Sequence, residues 1–258
     1  MQRQPITPSG KGTLITDRRV TEFSVQEIRD LIARFDWLAF KNHPVTTDEV
    51  IAYLGRFGTL VQNDRRQGAV LKLDGSKKDA GEVLLGDGFM PLHRDGALMG
   101  TNVALVGIFC VYHRGVTGGR TFVSDVENAT KQVPSEILEL VRTHGIEGRP
   151  VDTYYMKAPD RWHWIPGFSE VEGKSYLNVG FPYRPGEQPS WLVRMPGVDD
   201  ARFHEMFETM RAILMSETYC YYHEWDEGDL VLLDNRKLLH GREAFRGERS
   251  LANIQVLA

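Results

Sequence analysis

From Phe89 to the C-terminus the chain alternates short apolar runs with turn signals, and this rhythm limits the fold more than any other feature. LHRDGALMG, NVALVGIFCVYH and GVTGGRTFVSDV follow one another. Strand-like stretches come next at Val151 to Met156 and Ser175 to Phe181, then CYYHEW, DLVLLDN and LANIQVL. Such short runs, rich in β-branched and aromatic residues and bounded by turn residues, fit strands rather than helices. Helices sit between them. Ser24-Val25-Gln26-Glu27 is a capping box ahead of an amphipathic run ending at Phe35, and WLAF (Trp37 to Phe40) is a short strand. Thr46-Thr47-Asp48-Glu49 opens a second helix with Val50, Ile51, Leu54 and Phe57 at helical spacing. Pro134 to Thr143, with Pro134 in its first turn, and Asp199 to Met215 are two more. The pattern predicts a mainly β fold with helices (α+β), in one domain over residues 1–258. Gln62 to Gly88, with five glycines and many charges, is expected to be a surface loop or lid.

Composition excludes several function classes. Thirty-one Lys and Arg against 35 Asp and Glu give a net charge of −4, with no basic block, which argues against nucleic-acid binding and a polybasic membrane dock. MQRQPITPSGKG has no apolar core of a secretory signal, and the longest apolar stretch, Val103 to Tyr112, is too short to span a bilayer. A cytoplasmic protein with two reduced core thiols, Cys110 and Cys220, is expected.

Of the eight histidines, only His93 has an acid two positions on, Asp95. Residues i and i+2 of a strand share a face, so both can point into one cavity. His240 lies just past the apolar run DLVLLDN. Two histidines and a carboxylate form a facial triad that leaves coordination positions open and suits Fe(II), whereas structural zinc takes four closed ligands. Arg249, nine residues beyond His240, can clamp a carboxylate bidentately, and Thr121 in GGRTF can give it a hydroxyl. Singly, each residue also fits a plain role: a surface histidine beside a solvated aspartate, a core histidine at a strand end, a surface arginine, a strand threonine.

Taken together and in order, these segments resemble the TauD/TfdA family of Fe(II)/2-oxoglutarate-dependent dioxygenases. WLAFKNHPVTTDEVIAYLGRFGTL resembles the family's N-terminal strand-helix opening, PLHRDG its HxD strand, and GVTGGRTFVSDVENA its co-substrate threonine segment. SYLNVGFPYR resembles its substrate-side strand, and WDEGDLVLLDNRKLLHGREAF with RSL its distal His and Arg segment. The resemblance implies a double-stranded β-helix (jelly roll) with helices outside. It implies His93, Asp95 and His240 as iron ligands, Thr121 and Arg249 on the far carboxylate of 2-oxoglutarate, and Phe181 in the substrate pocket. It also implies C–H oxidation of a small carboxylate-bearing or amino-acid-derived molecule with O2, by hydroxylation or by desaturation or decarboxylation, releasing succinate and CO2. Halogenating relatives lack the carboxylate at the Asp95 position, so no halogenation is expected.

Taurine-type members carry a second arginine four residues after the clamp. Asn253 stands there, which argues against a sulfonate substrate. The LLHGREAF wording is closer to the isonitrile-processing branch (the PvcB/IsnB type), which acts on amino-acid-derived isocyanides. Lys72, Arg184 and the aromatic residues Tyr154, Tyr155, Trp162 and Trp164 are further candidate substrate contacts, suited to an anionic, aromatic small molecule. A non-catalytic jelly-roll binding protein, or a cupin-type iron oxygenase without 2-oxoglutarate, would also use the triad, but neither needs the Arg249 clamp.

Overall fold

The capping box forms as its residues predict. Ser24 Oγ accepts from the Glu27 N–H at 3.1 Å and the Glu27 carboxylate accepts from the Ser24 N–H at 2.7 Å, starting α1 (Val25–Phe35). A second box, Thr46 with Glu49, starts α2 (Thr47–Leu54), which ends before Phe57. The computed structural model describes residues 3–41, 44–62, 68–74, 86–151 and 160–257.

A large sheet joins β1 (Thr13–Ile15), β2 (Trp37–Phe40), β3 (Val70–Asp74), β5 (Val103–Gly118), β13 (Leu230–Asp234) and β15 (Phe245–Leu257), in the order β1-β2-β13-β5-β15-β3. A smaller sheet joins β4 (Met90–His93), β6 (Thr121–Ser124), β12 (Cys220–His223) and β14 (Leu239–Arg242), in the order β12-β6-β14-β4. Non-consecutive neighbours in both sheets are the mark of a jelly roll. Trp37, Val106, Val231, Leu233 and Leu251 of the large sheet pack on Val123 of the smaller one, so the two sheets face each other across an apolar layer.

Helices close the outer faces. α1 and α2 bury Ile28, Ile32, Val50 and Leu54 against Phe109, Leu232 and Ile254 of the large sheet. Each such side chain gives about 1.5–3 kcal/mol on leaving water. Gly107 interrupts the apolar run of β5 because a Cβ there would lie 2.4 Å from Leu54. α3 (Val126–Ala129), α4 (Ser135–His144) and α5 (Asp200–Leu214) cover the outer face of the smaller sheet through Ile137, Val141, Met206, Phe207 and Met210, packed on Leu92, Phe122 and Leu239. Pro134 is the cap of α4 rather than a residue of its first turn. β7 (Ile146–Pro150), β8 (His163–Ile165) and β11 (Trp191–Arg194) form a small side sheet, and β9 (Phe168–Val171) with β10 (Lys174–Leu177) a hairpin.

Two sequence expectations change. The stretch 62–88 is not a loop throughout: β3 lies inside it, pairing along β15 from Ser250↔Asp74 to Ile254↔Val70. The apolar alternation Leu71, Leu73 is masked in sequence by the charges around it. The strand expected at Val151 to Met156 falls mostly on 152–159, outside the described residues, and the strand seen is β7 just before it. Cys110 and Cys220 are both free and buried, as expected. No helix among the described residues is long and apolar enough to cross a membrane.

Candidate metal centre

β4 and β14 are neighbours, and His93 pairs directly with His240. Paired residues of antiparallel strands share a face, so both imidazoles turn into the space between the sheets, ring centroids 4.5 Å apart. β4 ends at His93, so Asp95 comes from the turn after the strand rather than from the strand itself. Asn235 fixes that turn. Its Oδ1 accepts from the Asp95 N–H at 3.0 Å, and its Nδ2 donates to the carbonyls of Asp95 at 3.0 Å and Val103 at 2.8 Å.

Asp95 Oδ1 lies 3.3 Å from His93 Nε2 and 3.7 Å from His240 Nε2. One ligand atom from each residue falls within 4.8 Å of the others, a spacing that can hold one metal ion. His93 Nδ1 lies 2.9 Å from the Pro91 carbonyl, so it carries the ring proton and leaves the Nε2 lone pair for a metal. Asp95 Oδ2 is taken up by β15, accepting from Asn253 Nδ2 at 3.0 Å and Gln255 Nε2 at 2.8 Å. Burial alone would raise the Asp95 carboxyl. The neighbouring His93 and His240 imidazoles and the Asn253 amide outweigh it and hold the group well below the usual carboxylate range. Burial, helped by neighbouring His93 and opposed by Asp95, brings His240 down to about 4. The centre therefore holds an ionised carboxylate beside a neutral His240 imidazole, the forms a divalent cation takes.

Arg249 lies on the same face of β15 as Asn253, four residues and about 13 Å along the strand. It is 1% exposed. Its Nη1 donates to the Gly119 carbonyl, and the guanidinium lies 3.8 Å from the Phe245 ring centroid. Gly119, at φ 75°, makes room: a Cβ there would lie 2.9 Å from Nη1. Arg249 Nε and Nη2 are buried without a hydrogen-bond partner. Burial, then the charge of Arg242, pull this guanidinium down to about 9, with Cys110 opposing. A buried cation with two idle donors fits an incoming carboxylate. Two residues after Gly119, Thr121 Oγ1 accepts from Trp225 Nε1 at 3.0 Å, so its own proton is free to be donated elsewhere. The donor set thus fits both a ferrous ion and a dicarboxylate such as 2-oxoglutarate.

The sequence-predicted substrate contacts are not gathered here. Lys72 is exposed on β3 opposite Ala252, on the face turned to α2 and away from Asn253. Arg184 is bound to Glu208 of α5 at the surface, at 2.9 Å. Phe181 is fully buried in the outer core, 5.1 Å from Phe207. Trp164 is 62% exposed, Trp162 lies under Arg194, and Tyr154 and Tyr155 fall outside the described residues. The aromatic ring beside the centre is Trp191, 5.1 Å from His93, with Tyr183 5.0 Å behind it. Sequence reasoning also missed Asn235, Gln255 and Trp225. Polar residues spaced by two inside the apolar run LANIQVL were the available signal for Asn253 and Gln255.

Two histidines and a carboxylate between two jelly-roll sheets, with a buried arginine on the same inner face, are the arrangement an iron oxygenase with an acidic co-substrate would use. The sequence places it more closely. The model of the taurine catabolism dioxygenase TauD, TfdA family matches residues 2–255, so the chain belongs to that family of dioxygenases. It is 32% identical over 206 residues to a tyrosine isonitrile desaturase of Pseudomonas aeruginosa, covering 74% of this chain and 67% of that one. It is 27% identical over 253 residues to a tyrosine isonitrile desaturase of Erwinia amylovora, covering 92% and 83%. The crystal structure of PvcB from Pseudomonas aeruginosa matches with a TM-score of 0.76 at 25% identity, over 100% of this chain and 91% of that one. A further PvcB structure, described as an Fe, alpha-ketoglutarate dependent oxygenase from an isonitrile synthetic pathway, matches in fold with a TM-score of 0.74 at 24% identity, over 100% and 92%.

Proposed function

We propose that this chain desaturates an amino-acid-derived isonitrile bearing an aryl group and a carboxylate, coupled to conversion of 2-oxoglutarate to succinate and CO2. The observation that carries this is the His93, Asp95 and His240 cluster, with a buried guanidinium that keeps two idle donors on the same inner face. The likeness to two tyrosine isonitrile desaturases supports the substrate class.

In this proposal His93, Asp95 and His240 would hold the iron and leave room for the co-substrate and O2. Bound iron supplies the oxygen chemistry that removes two hydrogens from adjacent substrate atoms. One oxygen atom of O2 enters succinate, and the other leaves with the two hydrogens as water. Asn253 and Gln255 occupy Asp95 Oδ2, so Oδ1 is the oxygen left to hold a metal. His93 is fixed in the tautomer with Nε2 free. Arg249 and Thr121 would hold the far carboxylate of 2-oxoglutarate and so orient the co-substrate. Trp191 and Tyr183 wall the space beside His93 with aromatic surface and help keep it dry.

Purified protein with Fe(II), 2-oxoglutarate, O2 and tyrosine isonitrile should give one succinate per substrate and a product two hydrogens lighter. A mass gain of one oxygen would move the assignment to hydroxylation. Succinate release that no isonitrile stimulates would remove the substrate class.

A further inference from the structure

Lys72 and Arg184 leave the substrate's carboxylate without a partner, and one other cation is placed to receive it. Arg242 follows His240 by two residues on β14, so it leaves the strand on the same inner face as that imidazole. Across the other ladder it pairs directly with Thr121. It is 5% exposed, and its hydrogen bonds go to one main-chain oxygen, that of Gly88, 2.7 Å from Nη2 and 3.3 Å from Nε. Among the described residues no carboxylate lies within ion-pair distance of it. Phe245, 5.5 Å away, is the ring that also underlies Arg249.

Charge counting makes Arg242 the odd group. Ferrous iron carries two positive charges, Asp95 one negative charge and 2-oxoglutarate two. Arg249 cancels the remaining negative charge and closes that set at zero. Arg242 then stands as one further buried positive charge, drawn by the Asp87 carboxylate only from beyond ion-pair distance and costly without a closer anion. A monocarboxylate substrate is the component that balances it. Next to Arg242, Met90 pairs with it across β4 and packs on Trp191 and Tyr183, the aromatic wall beside His93. A cation next to an aromatic wall beside the metal suits an arylalkyl carboxylate, with the alkyl chain carried past the iron.

We propose that Arg242 binds the carboxylate of the organic substrate, distinct from Arg249, which serves 2-oxoglutarate. This rests on the functional assignment above for the identity of the substrate, but not for its charge. The test uses anaerobic protein loaded with Fe(II) and 2-oxoglutarate, and calorimetric binding of two acid and ester pairs: tyrosine isonitrile with its methyl ester, and 3-(4-hydroxyphenyl)propanoate with its methyl ester. Wild type should bind each acid at least about tenfold more tightly than its ester, the scale of one charge-assisted contact. Arg242→Met should bind acid and ester alike, Arg242→Lys should keep part of the preference, and both should bind 2-oxoglutarate within about twofold of wild type. Wild type that shows no acid preference in either pair overturns the proposal, whether or not the variants fold. So does an Arg242→Met protein that keeps the preference, or one that loses 2-oxoglutarate affinity instead. Acid preference for the propanoate, with no turnover of the isonitrile, sinks the substrate identity and leaves the subsite standing.

Discussion

Replacing Arg249 by Met should separate ligand affinity from stability, with opposite signs. The guanidinium is buried, and two of its nitrogens have no hydrogen-bond partner among the described residues. Truncating one side of a buried charge pair costs about 2–5 kcal/mol of binding, so the 2-oxoglutarate Kd should rise about 30-fold to a few thousand-fold. Without the co-substrate, the same change removes an uncompensated buried cation and leaves an aliphatic chain of similar reach against Phe245. That should be neutral or stabilising. A thermal-shift titration with Mn(II) in place of iron reads both effects. At 2-oxoglutarate equal to 100 times the wild-type Kd, linkage stabilises wild type by about 2.7 kcal/mol. For a chain of this size that is roughly 5–11 °C. Arg249→Met at the same concentration should shift by less than about 3 °C from a starting Tm equal to or above that of wild type. A full shift in the variant would refute the clamp. A starting Tm several degrees lower would mean that the guanidinium already has an anionic partner.

Other expectations follow from single contacts. Asn253→Ala frees one lone pair of Asp95 Oδ2 from its 3.0 Å hydrogen bond and should weaken metal affinity about 10- to 100-fold, read by Co(II) titration; unchanged affinity would remove its role in aiming the carboxylate. Gly241→Ala puts a Cβ 2.3 Å from the Phe122 ring and 2.5 Å from the Met90 carbonyl, between His240 and Arg242. It should cost about 1–3 kcal/mol in denaturant unfolding, and an unchanged midpoint would contradict the packing. His223 is fully buried between Tyr221 and Asp229, and burial, opposed by Asp229, holds its imidazole below the ordinary 6.5. The unfolded chain therefore takes up the proton first. The stability His223 gives is complete above about pH 6.5 and is lost as pH falls through the lower, folded value. Tm should drop between pH 7 and pH 5, and His223→Gln should flatten that slope; equal slopes would show that other groups set the acid limit.

How much was legible in the sequence depended on whether a feature was local. Ser24 with Glu27 and Thr46 with Glu49 announce α1 and α2 because a capping box is complete within four residues. His93, Asp95, His240, Thr121 and Arg249 stood out as residue types with a spacing, and the fold brings the first three within 4.8 Å. The substrate side was not legible, because it depends on which strands pair. Lys72 looks like a lid residue until its pairing with Ala252 turns it to the α2 face. Phe181 looks like a pocket residue until Leu92 of β4, to whose carbonyl it donates, draws it into the outer core. Trp191 is about 100 positions from His93 in sequence, and nothing near either residue signals their 5.1 Å approach. Arg242 is legible in one respect: two residues from His240 on a strand, it shares that residue's face.

The claim on which the rest depends is that one ferrous ion sits among His93, Asp95 and His240 and is chelated by 2-oxoglutarate. Anaerobic optical titration tests it most directly. A weak visible charge-transfer band should appear only when Fe(II) and 2-oxoglutarate are both present, saturate at one iron per chain, and be missing in Asp95→Ala. No band in the wild-type protein, or the same band in Asp95→Ala, would contradict it.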